Sequence, residues 1–169
     1  MKSLVHYRAG DAAAVAHIED RPEAPAPRAG EIQLRVSVSP VGKLIVQQAR
    51  DRGWPVVAVV RSNRSASTVR TNWPDVPVVV SGSGGWQREL EGAVRGRPVP
   101  VIADAHGGPF VREILPFLDD GGTLVLWGDL AAQPWTLSTS ELLMRELKVR
   151  AVSISRWATR PGDIRAADR

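Results

Sequence analysis

A carboxylate and an imidazole, those of Asp104 and His106, stand two residues apart after the apolar run Val99 to Ala103. In an extended chain, alternate residues lie on one face, so the two side chains could act together as a general base. Gly107 and Gly108 follow, and glycine lets a backbone approach a ligand closely. The spacing does not establish contact, so we assign His106 and Gly107 to a ligand site and no residue to catalysis.

Two arginines, Arg61 and Arg64, follow the apolar run Pro55 to Val60, with Ser62 between them. Guanidinium groups bind phosphate through charge-assisted, often bidentate hydrogen bonds. At this place in a dinucleotide-binding domain, an acidic residue would hold the ribose hydroxyls of NAD. Because arginines replace it here, the loop favours the 2′-phosphate of NADP(H). The alternative is a solvated basic loop.

Gly42 and Lys43 open a predicted helix after the turn at Ser39 and Pro40. A dinucleotide site needs a strand, a glycine turn and a helix N-terminus whose free N–H groups meet the pyrophosphate. Only one glycine is present and Pro40 removes a donor, so the alternative is an ordinary strand-to-helix junction.

The denser glycine stretch, 81–85, lacks the Gly-Lys-Ser/Thr ending of a phosphate loop and is interpreted as a flexible connector.

Strands and helices alternate from residue 31 onward, which predicts a three-layer α/β domain with a parallel sheet. The predicted strands are 31–38, 55–60, 77–80, 99–103, 123–127 and 148–155, and the predicted helices are 41–52, 87–94, 111–118 and 140–146. Ligands of such sheets bind beyond the carboxyl ends of the strands, which adds Trp127 and Gly128 to the candidate site. Trp127 would stack on a planar ligand or pack in the core.

The first thirty residues differ from the rest, with two short predicted strands, 3–9 and 15–19, before a proline-rich connector. We therefore divide the chain into a small β arm, 1–30, and the α/β domain, 31–169. The strand 31–38 is predicted to enter the main sheet beside 55–60, because that apolar strand would otherwise lie on an exposed edge.

Composition excludes several classes of function. The chain of 169 residues has no cysteine, which rules out disulfides and thiolate metal sites, and its three histidines stand far apart, so no metal is expected. Lys+Arg exceed Asp+Glu by 22 to 18, but the arginines are scattered, so no nucleic-acid partner is expected. No apolar run is long enough for a membrane span and no secretory signal is evident, which predicts a cytoplasmic protein without a membrane partner.

Several blocks of the sequence resemble the medium-chain dehydrogenases/reductases. They look most like the branch of zinc-independent quinone oxidoreductases and trans-2-enoyl-thioester reductases. The similarity covers nearly the whole chain, in the blocks 1–5, 19–22, 30–36, 39–53, 57–61, 102–108, 121–130 and 142–157. It implies a Rossmann-like parallel sheet flanked by helices, preceded by the remnant of a GroES-like N-terminal β domain.

The departures from the family are as informative as the match. Family members are about twice this length, and the similarity passes from early β-domain strands directly into the cofactor domain. The resemblance implies that the family's catalytic tyrosine, its substrate pocket and most of its glycine loop are missing. The one tyrosine present, Tyr7, corresponds to an ordinary first strand.

Two functions stay open from the sequence. The first is a shortened reductase-like protein that binds NADP(H) or an acyl-thioester or polyketide-like small molecule. The second is a non-redox enzyme, of isomerase or cyclase type, or a non-catalytic binding module on the same fold. A homodimer through the strand Lys148 to Ser155 is also predicted, since a final strand leaves one edge unpaired and its relatives look like they pair there.

Overall fold

A computed structural model describes residues 2–6, 16–20, 33–36 and 40–153. The chain divides into two compact units: Pro27–Ala151, and a second that combines Met1–Ala26 with Val152–Arg169. In the second unit, strands β1 (Lys2–His6) and β2 (Ala16–Asp20) form an antiparallel pair. Both strands predicted for the β arm are therefore confirmed.

The larger unit contains a parallel sheet of six strands. These are β3 (Gln33–Val36), β4 (Val56–Val60), β5 (Val78–Val80), β6 (Val101–Asp104), β7 (Thr123–Leu126) and β8 (Lys148–Ala151). Their order in space is β5-β4-β3-β6-β7-β8. This is the doubly wound order of dinucleotide-binding domains, in which the chain reverses direction across the sheet between the two central strands. The Rossmann-like fold is thus confirmed.

Strand β3 lies in the centre of this sheet. It pairs with β4, where Val36 stands opposite Val59, and with β6, where Val36 stands opposite Asp104. The prediction that this segment enters the sheet beside the second strand is confirmed for Gln33–Val36; residues 31, 32, 37 and 38 lie outside the described part of the chain. With β3 in place, the apolar strand β4 has neighbours on both sides.

Within the described residues, five helices and a 3-10 turn connect the strands: α1 (Pro40–Asp51), α2 (Asn63–Asn72), α3 (Trp86–Val94), α4 (Phe110–Ile114), the 3-10 turn Leu115–Phe117, and α5 (Thr139–Met144). Helix α2 was not among the helices predicted from the sequence, because residues 62–71 are mostly polar. Two buried residues one turn apart, Ala66 and Val69, are sufficient to hold this polar helix on the sheet.

The core consists of two clusters of buried side chains, and β4 contributes to both. Val57 and Val59 belong to the cluster that includes α3 and α4, whereas Val56, Ala58 and Val60 belong to the cluster that includes α1 and α2. Successive strand residues point to opposite faces, so the continuous apolar run reflects a strand covered on both sides. No helix in the described residues is long and apolar enough to cross a membrane.

Strand β8 ends the sheet among the described strands, and all four of its residues are exposed. It stops at Ala151, whereas the sequence predicted a strand through Ser155. The reason is its partner: the ladder with β7 ends where Leu126 meets Ala151. Residues 154 and 155 lie outside the described part of the chain.

Candidate functional site at the carboxyl edge of the sheet

The candidate residues share one edge of the sheet. Gly42 and Lys43 lie in the first turn of α1, which follows β3 in the chain. The other three groups directly follow β4, β6 and β7: Arg61, Ser62 and Arg64; His106 and Gly107; Trp127 and Gly128. Because all six strands are parallel, their carboxyl ends coincide, and the topology brings these segments to the same side of the molecule.

The loops that follow β6 and β7 run against each other. Three backbone N–H groups of one loop donate to carbonyls of the other: Trp127 to Asp104 at 3.0 Å, Leu130 to Ala105 at 3.3 Å, and Ala131 to His106 at 2.8 Å. A Cβ at Gly128 would stand 2.7 Å from the carbonyl oxygen of Ala105. The glycine therefore permits this contact, and the two loops form one wall of the edge.

The carboxylate of Asp104 fixes the loop after β6 and is not hydrogen-bonded to the imidazole of His106. The side chain is fully buried. Its Oδ1 accepts the N–H of His106 at 2.9 Å and its Oδ2 accepts the N–H of Gly107 at 2.7 Å. Burial raises the pKa of Asp104, and the two backbone hydrogen bonds only partly oppose it. The suggested Asp104–His106 base pair is not formed: both carboxylate oxygens accept backbone N–H groups, and the Nδ1 of His106 has no hydrogen-bond partner within the described residues.

The imidazole of His106 has an unsatisfied nitrogen. Its Nδ1 is buried and has no hydrogen-bond partner within the described residues, while the ring meets Phe110 edge-on at 6.0 Å between centroids. Buried polar atoms are nearly always hydrogen-bonded, so this Nδ1 at the carboxyl edge of the sheet indicates a place where a polar group of a ligand could bind. This signal could not be found from sequence, since it depends on how the loop folds.

Ser62 and its arginine neighbours have different roles. The Oγ of Ser62 accepts the N–H of Ser65 at 3.2 Å, so Ser62 is the N-cap of α2. Arg61 and Arg64 are exposed, and neither makes an ion pair with a described acidic residue. The helix start thus carries two guanidinium groups that are available to an anion.

The glycine stretch 81–85 also belongs to this edge. The N–H of Ser81 donates to the carbonyl of Val60 at 2.7 Å, and a Cβ at Gly82 would overlap the carbonyl oxygen of Arg61. The segment therefore forms a turn packed on the end of β4, where Gly82 allows the close approach. The sequence analysis missed this role because glycine density alone does not say which backbone it faces.

Helix α1 has the position of a phosphate-binding helix, since it follows the central strand β3 in the doubly wound order. Gly42 is buried within it and Lys43 is exposed. Pro40 is its first residue, which places a residue without an N–H where no intrahelical donor is needed.

Comparison with known proteins decides the family. The family described as zinc-binding dehydrogenase matches residues 40–169 of this chain. The chain belongs to that family. The resemblance to medium-chain dehydrogenases/reductases is therefore confirmed, and the protein is a zinc-binding dehydrogenase family member with an oxidoreductase-like fold.

Its relatives include enoyl reductases. The mitochondrial enoyl-[acyl-carrier-protein] reductase of Bos taurus is 31% identical over 134 residues, covering 78% of this chain and 36% of the bovine protein. That of Dictyostelium discoideum is 30% identical over 124 residues, covering 72% and 35%. This family member therefore spans about a third of the length of these curated relatives.

Solved structures show the same fold. The mitochondrial 2-enoyl thioester reductase heterodimer from Candida tropicalis matches with a TM-score of 0.68 at 14% identity, covering 85% of this chain and 42% of that one. CurA from Vibrio vulnificus, solved in complex with NADPH, matches with a TM-score of 0.64 at 14% identity, covering 84% and 44%. The family description mentions zinc, but no three His, Asp or Glu side chains in the described part of this family member could hold a metal ion together.

Proposed function

We propose that the carboxyl edge of the sheet binds NADP(H) and that the 2′-phosphate pairs with Arg61 and Arg64. The observation that carries the proposal is this arginine pair at the start of α2, directly after β4, with no described acidic partner. In the doubly wound fold, the residue after this strand selects between the ribose hydroxyls of NAD and the phosphate of NADP. Two cations and no carboxylate at 61–64 favour the phosphate.

The other residues of the edge suit the remaining parts of a dinucleotide. The N-terminal turn of α1, with Gly42 and Lys43, would hold the pyrophosphate through backbone N–H groups and one ammonium. The buried Nδ1 of His106 lacks a described partner and could receive a polar group of the ligand. The wall formed by Gly107, Trp127 and Gly128 would exclude water from the bound ring. Bound NADPH would supply a hydride to a substrate.

For the substrate, we propose an acyl thioester or a related polyketide-like small molecule, by analogy with the enoyl-[acyl-carrier-protein] reductases named above. The resemblance implies that the family's catalytic tyrosine is missing; Tyr7, the one tyrosine of the sequence, lies outside the described residues. Binding without turnover is the second candidate. It is favoured by the buried Asp104, whose two oxygens accept N–H groups of the loop that follows and so hold that loop in place.

The test is a fluorescence titration of the purified protein with NADPH. The double variant Arg61→Gln/Arg64→Gln should bind NADPH about tenfold more weakly, since two exposed charge-assisted contacts together contribute about 1.4 kcal/mol. The matched control is Arg70→Gln/Lys148→Gln, which removes the same charge from exposed positions away from this edge, in the last turn of α2 and at the start of β8. Equal weakening in both double variants would mean that only net charge matters. Reduction of crotonyl thioesters by NADPH would then distinguish an active reductase from a binding module.

We also propose a homodimer through β8. All four residues of this edge strand are exposed, and its backbone N–H and C=O groups on one side face no described strand. Apolar side chains lie exposed nearby, with Leu143 at 71%, Met144 at 80% and Val149 at 43%. A second copy related by a two-fold axis would cover them and close the assembly.

A further inference from the structure

An open groove of about 370 Å³ lies at the opposite edge of the sheet. Its walls come from the segments that precede β4 and β5 and from the end of α3. The lining residues that matter are three arginines, a tryptophan and two prolines: Arg50, Arg95, Arg97, Trp54, Pro55 and Pro77. The volume lies in the usual range for small-molecule sites, roughly 300–1,000 Å³.

This groove is separate from the proposed nucleotide site. Val56, the first residue of β4, lines the groove, whereas Arg61 follows the last residue of the same strand. Val56 and Arg61 are therefore about 17 Å apart along the strand direction, at roughly 3.3 Å per residue. A ligand bound at the carboxyl edge therefore does not account for the residues that line this groove at the amino ends of the strands.

The positive charge in the groove is only partly neutralised. Asp75 is the one acidic residue of the lining, and both of its oxygens pair with Arg50, at 3.1 Å from Nε and 2.8 Å from Nη2. Arg97 donates from Nε to the carbonyl of Val94 at 3.2 Å, which fixes its stem. Arg95 has no acidic partner among the described residues. Two guanidinium groups thus remain without a counterion.

The backbone at Arg95 is unusual for a residue with a side chain. Arg95 ends α3 in the left-handed conformation, with φ of 53°, and Gly96 follows with φ of 66°. Glycine or asparagine is the ordinary choice for this position, because a Cβ is disfavoured there. An arginine in this disfavoured backbone conformation indicates that its side chain has a function.

Apart from its charged residues, the lining of the groove is apolar. The indole of Trp54 is half-buried and packs against the core cluster of α1 and α2, so its position is fixed. The guanidinium of Arg52 lies 5.1 Å from its ring centroid. Pro55 and Pro77 continue the apolar surface. A flat hydrophobic body fits against such a wall, and an anionic group fits at its basic side.

We propose that this groove binds a small organic anion: a carboxylate or a phosphate attached to a flat apolar body. Arg95 and Arg97 bind the anionic group and Trp54 contacts the body. The inference is independent of the proposed nucleotide function, since it uses no residue of the carboxyl edge.

Calorimetric titration with four probes tests the proposal: naphthoate, naphthyl phosphate, naphthyl methanol and inorganic phosphate. The two aromatic anions should bind at least about tenfold more tightly than the neutral alcohol or the bare anion, because each of those lacks one half of the recognition. The preference between the two aromatic anions identifies the anionic group. Equal binding of the alcohol, or no binding of either aromatic anion at millimolar concentration, overturns the proposal.

Variants separate this role from a structural one. Arg95→Gly removes the guanidinium while favouring the left-handed backbone, so its melting temperature should be equal or higher and its affinity for the preferred probe about tenfold lower. Arg88→Gln removes the same charge from an exposed position of α3 outside the lining and should bind normally. Arg61→Gln/Arg64→Gln should also bind the probe normally, even if NADPH binding fails. Unchanged affinity in Arg95→Gly contradicts the proposal.

Discussion

The contact between the loops after β6 and β7 depends on the missing side chain of Gly128, and Gly128→Ala tests it. An added Cβ would stand 2.7 Å from the carbonyl oxygen of Ala105 and 3.2 Å from its Cα. Both neighbouring atoms belong to the backbone, so they cannot rotate away. Gly128 is not one of the glycines with positive φ, so alanine fits its backbone conformation and only the contact opposes the substitution.

The expected loss can be worked out from the structure. Relieving the overlap requires the loops to separate by about 0.5–1 Å, since unbonded carbons prefer roughly 3.5–4.0 Å. The hydrogen bond from Leu130 to Ala105, at 3.3 Å, is already long and would break. Overpacking lowers the free energy of unfolding by about 1–3 kcal/mol, and loss of the hydrogen bond lowers it by about 0.5–1.5 kcal/mol. Alanine also restricts the unfolded chain, which raises the free energy of unfolding by about 0.4–1 kcal/mol. The net loss of stability is about 2 kcal/mol.

Urea unfolding followed by circular dichroism measures this loss, and thermal unfolding should show a melting temperature lower by about 4–8 °C. The control is Gly92→Ala in the middle of α3, where a Cβ would meet nothing within 4 Å. That variant should gain about 0.5–1 kcal/mol from helix propensity. If Gly128→Ala were as stable as the unmodified protein, the two loops could not be packed as described.

Three further predictions concern stability and assembly. Burial raises the pKa of Asp104 above its ordinary 3.8, so the folded protein binds this proton more tightly than the unfolded chain does. The stability of the unmodified protein relative to Asp104→Asn should therefore fall as the pH rises from about 3.8 through the folded pKa. Urea unfolding at several pH values measures this difference in stability, and a difference that grew with pH would contradict the prediction. Ser62→Ala should lose about 1 kcal/mol by removing the N-cap of α2, whereas Ser62→Thr should keep most of it; equal stability of the two variants would be the contrary result. Val149→Lys should convert the dimer into a monomer, because it places a charge in the β8 interface, and light scattering measures the mass. An unmodified protein that is already monomeric at micromolar concentration would refute the β8 interface.

The fold was predictable where burial leaves a pattern in the sequence. The continuous apolar run of β4 indicated a strand that does not lie on an exposed edge, and this placed β3 beside it. Helix α2 was missed because Ala66 and Val69 are its only buried residues, which is too weak a pattern to detect. Hydrophobic periodicity indicates which side chains are buried. A helix that is stabilised mostly by its N-cap and two buried residues therefore gives almost no periodic pattern in the sequence.

The position of the candidate residues at one edge of the sheet was predictable, but their contacts were not. Alternation of strands and helices was enough to bring Arg61, His106 and Trp127 to one edge. The use of Asp104 by two backbone N–H groups depends on the path of the loop after β6, which no spacing specifies. For the same reason, the packing of Gly82 on Arg61 could not be read from the glycine stretch.

The central claim is that Arg61 and Arg64 recognise the 2′-phosphate of NADP(H), and a comparison of the NADPH and NADH dissociation constants tests it most directly. The two ligands differ only in that phosphate, so their ratio is insensitive to every other contact. Titrating the unmodified protein with each at the same ionic strength should show NADPH binding about tenfold more tightly, a difference that shrinks as salt is added. Equal dissociation constants, or tighter binding of NADH, would contradict the claim.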